Sequence, residues 1–245
     1  MPDTTARLAR KVWREGKCTS DADEVVQESP VALVYNGLSH AVMMATPTDL
    51  ADLALGFSLS EGLLTDPAQL LGIDILDREG GLEVSMEITG EPFAAIKQRR
   101  RNMSGRTGCG LCGVESLEQA MIAPGAVSAD VRIEHMALQK ALSQLADAQV
   151  LKARTGGVHG AAWCNTQGDI VLVREDVGRH NALDKLLGAM VTDGIGREGF
   201  VLLTSRLSYE MVAKAAACNI PVLAAVSAPT ALAVDYAEQA GISLV

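Results

Sequence analysis

From Ile133 onward the chain alternates short apolar runs with helix-length segments, and this alternation restricts the fold more than any other feature. Ile133 to Val150 places apolar residues at helical spacing. Ala161 to Asn165 and Ile170 to Val173 read as strands joined by a Gln167-Gly168 turn, and Ala182 to Val191 reads as a helix. Phe200 to Thr204, Val222 to Val226 and Ile242 to Val245 read as further strands, separated by helices at Tyr209 to Cys218 and Thr230 to Ala240. The order α-β-β-α-β-α-β-α-β predicts a mixed sheet with helices on both faces.

The earlier part follows another pattern. After a polar leader (residues 1–20), Glu24 to Gln27, Val31 to Tyr35 and His40 to Ala45 read as strands, the last two joined by the turn pair Asn36-Gly37. Thr46-Pro47-Thr48-Asp49 offers a Thr cap, a Pro at the first helical position and an acid at the third. Leu50, Leu53, Ala54 and Phe57 then follow at helical spacing, and this helix is expected to stop near Gly62. Leu71 to Leu76 and Leu82 to Ile88 flank Asp77-Arg78-Glu79-Gly80-Gly81 as a hairpin. Its second strand alternates Leu82, Val84, Met86 and Ile88 with Glu83, Ser85 and Glu87, so one face is buried. A basic helix from Glu91 to Asn102 ends the unit. The expected organisation is a small α+β domain over residues 21–125 and an α/β domain over residues 126–245, with Ala123 to Ala129 as linker. His40 is expected to be structural.

Between the two units lies Ser104-Gly105-Arg106-Thr107-Gly108-Cys109-Gly110-Leu111-Cys112-Gly113. Four glycines in ten residues exclude helix or strand interior, so both thiols sit on a loop. Arg106, the upstream Lys97, Arg99, Arg100 and Arg101, and a helix read over Val114 to Met121 all favour thiolate over thiol. Three chemistries compete. A zinc site needs three or four ligands, and no second CxxC or Cys/His pair is present, so no metal ligand is assigned. A thioredoxin-like redox pair follows an apolar strand, whereas a basic helix precedes this one. An exposed nucleophilic thiol that carries a group such as a persulfide sulfur fits the cationic setting best. The basic run is equally a solvated helix C-terminus, where cations suit the dipole.

Two loops of the later domain carry ligand-binding chemistry. In Thr155-Gly156-Gly157-Val158-His159-Gly160 the glycines bring backbone N–H groups within reach of phosphate. Glu175-Asp176-Val177-Gly178-Arg179-His180-Asn181 lies between a strand and a helix, where α/β proteins commonly bind ligands. There Arg179 is a fork for phosphate, Asn181 a cap for the helix, and Glu175 or Asp176 an acceptor for a guanine edge or a ribose hydroxyl. The bland alternative is a capped turn with one ion pair. His159 and His180 are candidate acids or bases near neutral pH. Arg206 and Ser208 follow another strand, and Ser227-Ala228-Pro229-Thr230 a further one, where small hydroxyls suit capping or phosphate contact. Cys164 and Cys218 read as small buried apolar residues.

A formal net charge of −9 argues against a general nucleic-acid binder, leaving any anion site to be local. Five unevenly spaced cysteines suit a reducing cytoplasm better than a disulfide framework. No uncharged apolar run is long enough to span a bilayer, and Met1 to Cys18 lacks the apolar core of a secretory signal, so a soluble cytoplasmic protein is expected.

GRTGCGLCG, TGGVHGAAW, EDVGRHNALDK and SAPTALAVDYAEQAGISLV together resemble the formate dehydrogenase accessory sulfurtransferase family, FdhD or NarQ, from about Val31 to the last residue. The resemblance implies a three-layer cytidine-deaminase-like C-terminal domain. The deaminase zinc signature, H-x-E followed by P-C-x-x-C, is absent from this half of the chain, so deaminase chemistry does not follow. It also implies a sulfurtransferase that takes persulfide sulfur from a cysteine desulfurase on Cys109, with Cys112 in support. The sulfur passes to molybdenum or tungsten bis-(molybdopterin guanine dinucleotide), bound as substrate with GDP as its mimic, before insertion into apo formate dehydrogenase. Cofactor contacts then fall to Arg106, Gly157, His159, Glu175, Asp176, Arg179, His180, Asn181, Arg206 and Ser227. A homodimer is expected. The competing class is a non-catalytic chaperone that uses the CxxC as a contact or metal clip. Two departures stand out: Ser205 replaces the Gly of the family's Ser-Gly-Arg, and the chain ends at Ser243-Leu244-Val245 where family members continue with a basic segment, from which weakened cofactor affinity is expected.

Overall fold

A computed structural model describes residues 3–103 and 125–245. The CxxC loop with Arg106, Cys109 and Cys112, and the helix read over Val114 to Met121, lie outside the described residues.

The chain opens with a hairpin where only a polar leader was expected: β1 (Thr5–Arg14) pairs antiparallel with β2 (Lys17–Val26) across all ten positions. Glu15 and Gly16 both take positive φ at the turn, the backbone that a two-residue hairpin loop requires. The first core lies on a four-stranded sheet of order β4-β3-β6-β5, from β3 (Ser29–Tyr35), β4 (Leu38–Ala45), β5 (Leu70–Arg78) and β6 (Gly81–Ile88). Strands β3 and β6 run parallel and the outer pairs antiparallel. The alternation in β6 is realised, with Leu82, Val84, Met86 and Ile88 buried against Val31, Leu33 and Tyr35. Helix α1 (Leu50–Ser60) covers this face with Leu50, Leu53 and Ala54, and Ile96 of α2 (Gly90–Met103) closes one side.

Thr46 does not cap α1. The N-cap is Asp49, in a left-handed conformation and without a side-chain hydrogen bond, and Thr46 is fully buried elsewhere. Its N–H donates to Asp176 Oδ2 at 2.9 Å, its Oγ1 accepts from Val177 N at 3.1 Å, and its carbonyl accepts from Lys185 Nζ at 3.0 Å. Tertiary hydrogen bonds to the second unit have claimed a residue whose local context favoured a cap.

The second unit is a five-stranded mixed sheet of order β11-β10-β9-β7-β8, built from β7 (His159–Asn165), β8 (Ile170–Asp176), β9 (Gly199–Leu203), β10 (Val222–Ala225) and β11 (Ser243–Leu244). Strands β9, β10 and β11 are parallel, while β7 is antiparallel to both neighbours. One face packs on α5 (Arg179–Thr192), α6 (Tyr209–Ala217) and α7 (Ala231–Ala240) through Leu183, Leu187, Met211, Ala215 and Tyr236. The other receives Ala141 and Leu145 of α3 (His135–Ala148) against Ala162, Cys164, Phe200 and Leu202. This is the mixed α/β architecture that the alternation predicted, with helices on both faces. The helix expected to run to Val150 breaks at Gln149, whose φ of −92° and ψ of 80° leave the helical region, and α4 (Val150–Thr155) follows as a separate turn.

The two units share a seam. Helix α1 lies on α5 at Gly56 and Gly188, and a buried cluster binds its end: Ser60 Oγ donates to Asp184 Oδ1 at 2.6 Å, and Lys214 Nζ donates to Asp184 Oδ2 at 2.9 Å and Glu61 Oε1 at 2.7 Å. Burial alone would lower the Lys214 pKa, but the Asp184 and Glu61 carboxylates outweigh it and hold the ammonium above its ordinary value.

Candidate functional site at one edge of the mixed sheet

The candidate residues of the second unit gather where strand ends meet. His159 pairs with Asp176, Ala161 with Leu203 and Leu203 with Ala225, so the start of β7 and the ends of β8, β9 and β10 share one edge. The loops there are tied together. Thr204 N donates to Gly160 O at 3.0 Å, Gly160 N to Thr204 Oγ1 at 2.8 Å, and Thr230 N to Leu207 O at 3.0 Å. Helices α5, α6 and α7 all begin at this edge, so their free N–H groups converge and favour an anion.

Three of the expected ligand contacts are engaged by the protein itself. Glu175 accepts from Leu151 N at 2.7 Å and Lys152 N at 2.9 Å, capping α4 from outside the helix. Asp176 is fully buried: Lys185 Nζ lies 2.7 Å from Oδ2, while Gly178 N and Asn181 Nδ2 donate to Oδ1 at 2.8 and 2.9 Å. Asn181 is not the cap of α5, since Gly178 holds that position and Asn181 sits in the first turn. Its amide is spent inward on Met44 O, at 2.9 Å, and on Asp176. These side chains shape the loop.

Arg179 and His180 turn toward the edge. His180 Nε2 stands 2.9 Å from Glu210 Oε2, and Arg179 Nη2 lies 3.9 Å from the same oxygen. Arg179 Nε is buried without a hydrogen-bond partner, leaving one guanidinium N–H unspent. Burial pushes the His180 imidazole below its ordinary value, opposed by the Glu210 carboxylate. Burial does the same to His159, reinforced by the nearby Arg179 and Lys152 cations. Both rings are therefore mainly neutral at pH 7 and able to accept a proton. Arg206 and Ser227 are exposed on adjoining loops, and Gly157 lies exposed where a Cβ would meet Val26 Cγ1 at 3.0 Å. Thr230 caps α7 by accepting from Ala233 N at 3.2 Å.

Glu210 was missed in the sequence. It lies one residue inside a helix and 30 residues from His180, and only its place in the first turn, two residues after Ser208, marked it at all. It links α5 to α6: besides His180, Ser208 Oγ donates to it at 3.4 Å. The edge therefore presents cations, neutral imidazoles and helix N-termini, a set suited to an anionic, hydrogen-bonding ligand. Among the described residues there is no helix long and apolar enough to cross a membrane.

The FdhD/NarQ family model matches residues 26–245. A sulfur carrier protein FdhD of Cupriavidus necator is 55% identical, covering 99% of this chain and 85% of the relative. Its counterpart in Xanthomonas euvesicatoria is 49% identical over 100% of this chain and 87% of the relative. The crystal structure of a candidate formate dehydrogenase accessory protein from Desulfotalea psychrophila shares the fold, with a TM-score of 0.75 at 24% identity, over 99% of this chain and 92% of that one. The chain belongs to the FdhD/NarQ family.

Proposed function

We propose that this protein is a sulfur carrier for formate dehydrogenase maturation. The observation that carries the reading is identity of 55% and 49%, over 99% and 100% of this chain, to proteins named sulfur carrier protein FdhD. The Cys109 thiolate attacks the sulfane sulfur of a cysteine desulfurase persulfide. A new S–S bond forms on Cys109, the donor's S–S bond breaks and the donor cysteine leaves as thiolate. Cys112 supports the loaded thiol. The outer sulfur is then handed on as sulfide: the Cys109 S–S bond breaks, Cys109 leaves as thiolate, and a thiol-class reductant supplies the two electrons. The recipient is the molybdenum or tungsten bis-(molybdopterin guanine dinucleotide), which as substrate would be held with its guanine nucleotide portion at the sheet edge by Arg179, Arg206, His159, His180 and Ser227. The work is placed in the cytoplasm, with a desulfurase and apo formate dehydrogenase as partners.

The other thiols support this assignment by their settings. Burial pushes Cys164 and Cys218 up to about 12, so neither offers a thiolate near neutral pH. Cys18 is exposed on the β1–β2 hairpin. Intact-protein mass spectrometry after incubation with cysteine and a desulfurase tests the reading. The wild type is expected to gain labile sulfur and the Cys109→Ala variant none. An Ala variant that still matures formate dehydrogenase would move the function to the chaperone class.

A further inference from the structure

The first unit reaches the candidate site at the end of β4. Thr46 follows that strand and precedes Pro47, and a proline ring holds the residue before it in extended backbone. The N–H and C=O of Thr46 therefore point in fixed directions. One donates to Asp176 Oδ2 at 2.9 Å and the other accepts from Lys185 Nζ at 3.0 Å. Asp176 and Lys185 are themselves paired at 2.7 Å, so backbone, carboxylate and ammonium close a ring, and all three residues are fully buried.

Further hydrogen bonds to the first unit bracket the outward-facing pair of the loop. Val177 N donates to Thr46 Oγ1 at 3.1 Å, and Asn181 Nδ2 donates to Met44 O at 2.9 Å. Arg179 and His180 lie between these two attachments. The turn that joins them has little slack, since a Cβ on Gly178 would lie 2.9 Å from Asn181 Nδ2. A shift of the β4 end therefore carries both ends of this span with it.

We infer that Thr46 is a positioning residue for the nucleotide site, holding from the other unit the loop that presents Arg179 and His180. The inference rests on the reading of this edge as that site. It makes the seating of the first unit a condition of ligand affinity in the second.

Calorimetry with GDP and imidazole proton shifts by NMR test it on the full chain. Thr46→Val keeps the side-chain shape and the backbone bonds but removes the hydroxyl that accepts from Val177. GDP affinity is expected to fall roughly fivefold, the worth of one neutral hydrogen bond. The His180 midpoint is expected to rise toward its ordinary 6.5, because the freed loop lets water reach a ring that burial now holds down. Glu210, Arg179, Lys214 and His159 also act on that ring, and the substitution alters none of them. Thr46→Ser restores the hydroxyl and should match wild type in both measurements. Thr46→Ala takes the place of the Val variant if that chain does not fold. A loss of global stability alone moves neither measurement while the chain remains folded. An unmoved midpoint or an unchanged GDP affinity in Thr46→Val, or a Ser variant that behaves like the Val variant, overturns the inference. A wild type that binds no GDP overturns the reading of the edge instead, while a shifted midpoint still assigns Thr46 its hold on the loop.

Discussion

Gly56 of α1 and Gly188 of α5 meet backbone to backbone. A Cβ on Gly56 would lie 1.7 Å from the Asp184 carbonyl oxygen, and one on Gly188 would lie 2.0 Å from the Asp52 carbonyl oxygen. A glycine inside a helix normally costs about 1 kcal/mol relative to alanine, so two at one crossing point to the close approach itself. Alanine at either position is therefore expected to destabilise despite its better helix propensity, by about 2 kcal/mol, because backbone atoms and not flexible side chains must move. Urea unfolding of Gly56→Ala and Gly188→Ala measures this, and a gain in stability would mean that the helices cross at a wider spacing.

The polar end of the same seam behaves differently. Lys214 and Asp184 are both buried, and Lys214 donates to both carboxylate oxygens, at 3.0 and 2.9 Å. Lys214→Met leaves a buried carboxylate without its cation, which is expected to cost about 3–5 kcal/mol. The double variant Lys214→Met/Asp184→Leu should recover most of that loss, since an apolar pair replaces the charges together. Equal instability in the single and double variants would assign the effect to packing.

Much of the second unit was legible because each strand there is an apolar run bounded by a turn. The runs at 161–165, 200–204 and 222–226 fall on β7, β9 and β10 with ends shifted by two residues or fewer. The seam was hidden for a physical reason. Gly56, Gly188, Asp184 and Lys214 sit in helices that read as ordinary amphipathic segments, and only the partner helix makes a glycine or a buried lysine necessary. The β1–β2 hairpin escaped because its strands bury no face, so no apolar alternation marks them, although Glu15-Gly16 is the sort of pair that turns a hairpin. At the sheet edge the loops were found from their glycines and from their positions beside strands. The roles of Thr46, Glu175, Asp176 and Asn181 were not, because hydrogen-bond partners as far as 139 residues away took polar atoms of these residues.

Arg179 separates a nucleotide site from a merely structural loop. Its Nε–H is buried without a partner, and its link to Glu210 is long, so a phosphate gains a donor the protein does not already use. GDP is expected to bind better than ADP, and Arg179→Ala to weaken GDP by about 1.5–3 kcal/mol, the range of a charge-assisted hydrogen bond. Calorimetry decides. Equal affinity for the two nucleotides, or no change in the variant, would remove this edge from the cofactor site.

His180 makes the edge sensitive to pH in a direction the structure sets. Burial holds its imidazole below the ordinary 6.5, so as pH falls the unfolded chain takes up the proton first. Stability from this group is complete above about pH 6.5 and declines as pH drops toward the folded value. His159 is shifted in the same direction, so His180→Gln should flatten the decline between pH 7 and 5 only in part. Glu210 opposes the burial effect from 2.9 Å. In Glu210→Gln the His180 titration midpoint should therefore fall further, and the loss of stability in acid should deepen. The midpoint is read from imidazole proton shifts by NMR, and the stability from urea unfolding at each pH. A His180 midpoint unmoved by Glu210→Gln would show that the two side chains are not in contact in solution, and Glu210 would lose its place as the link between α5 and α6.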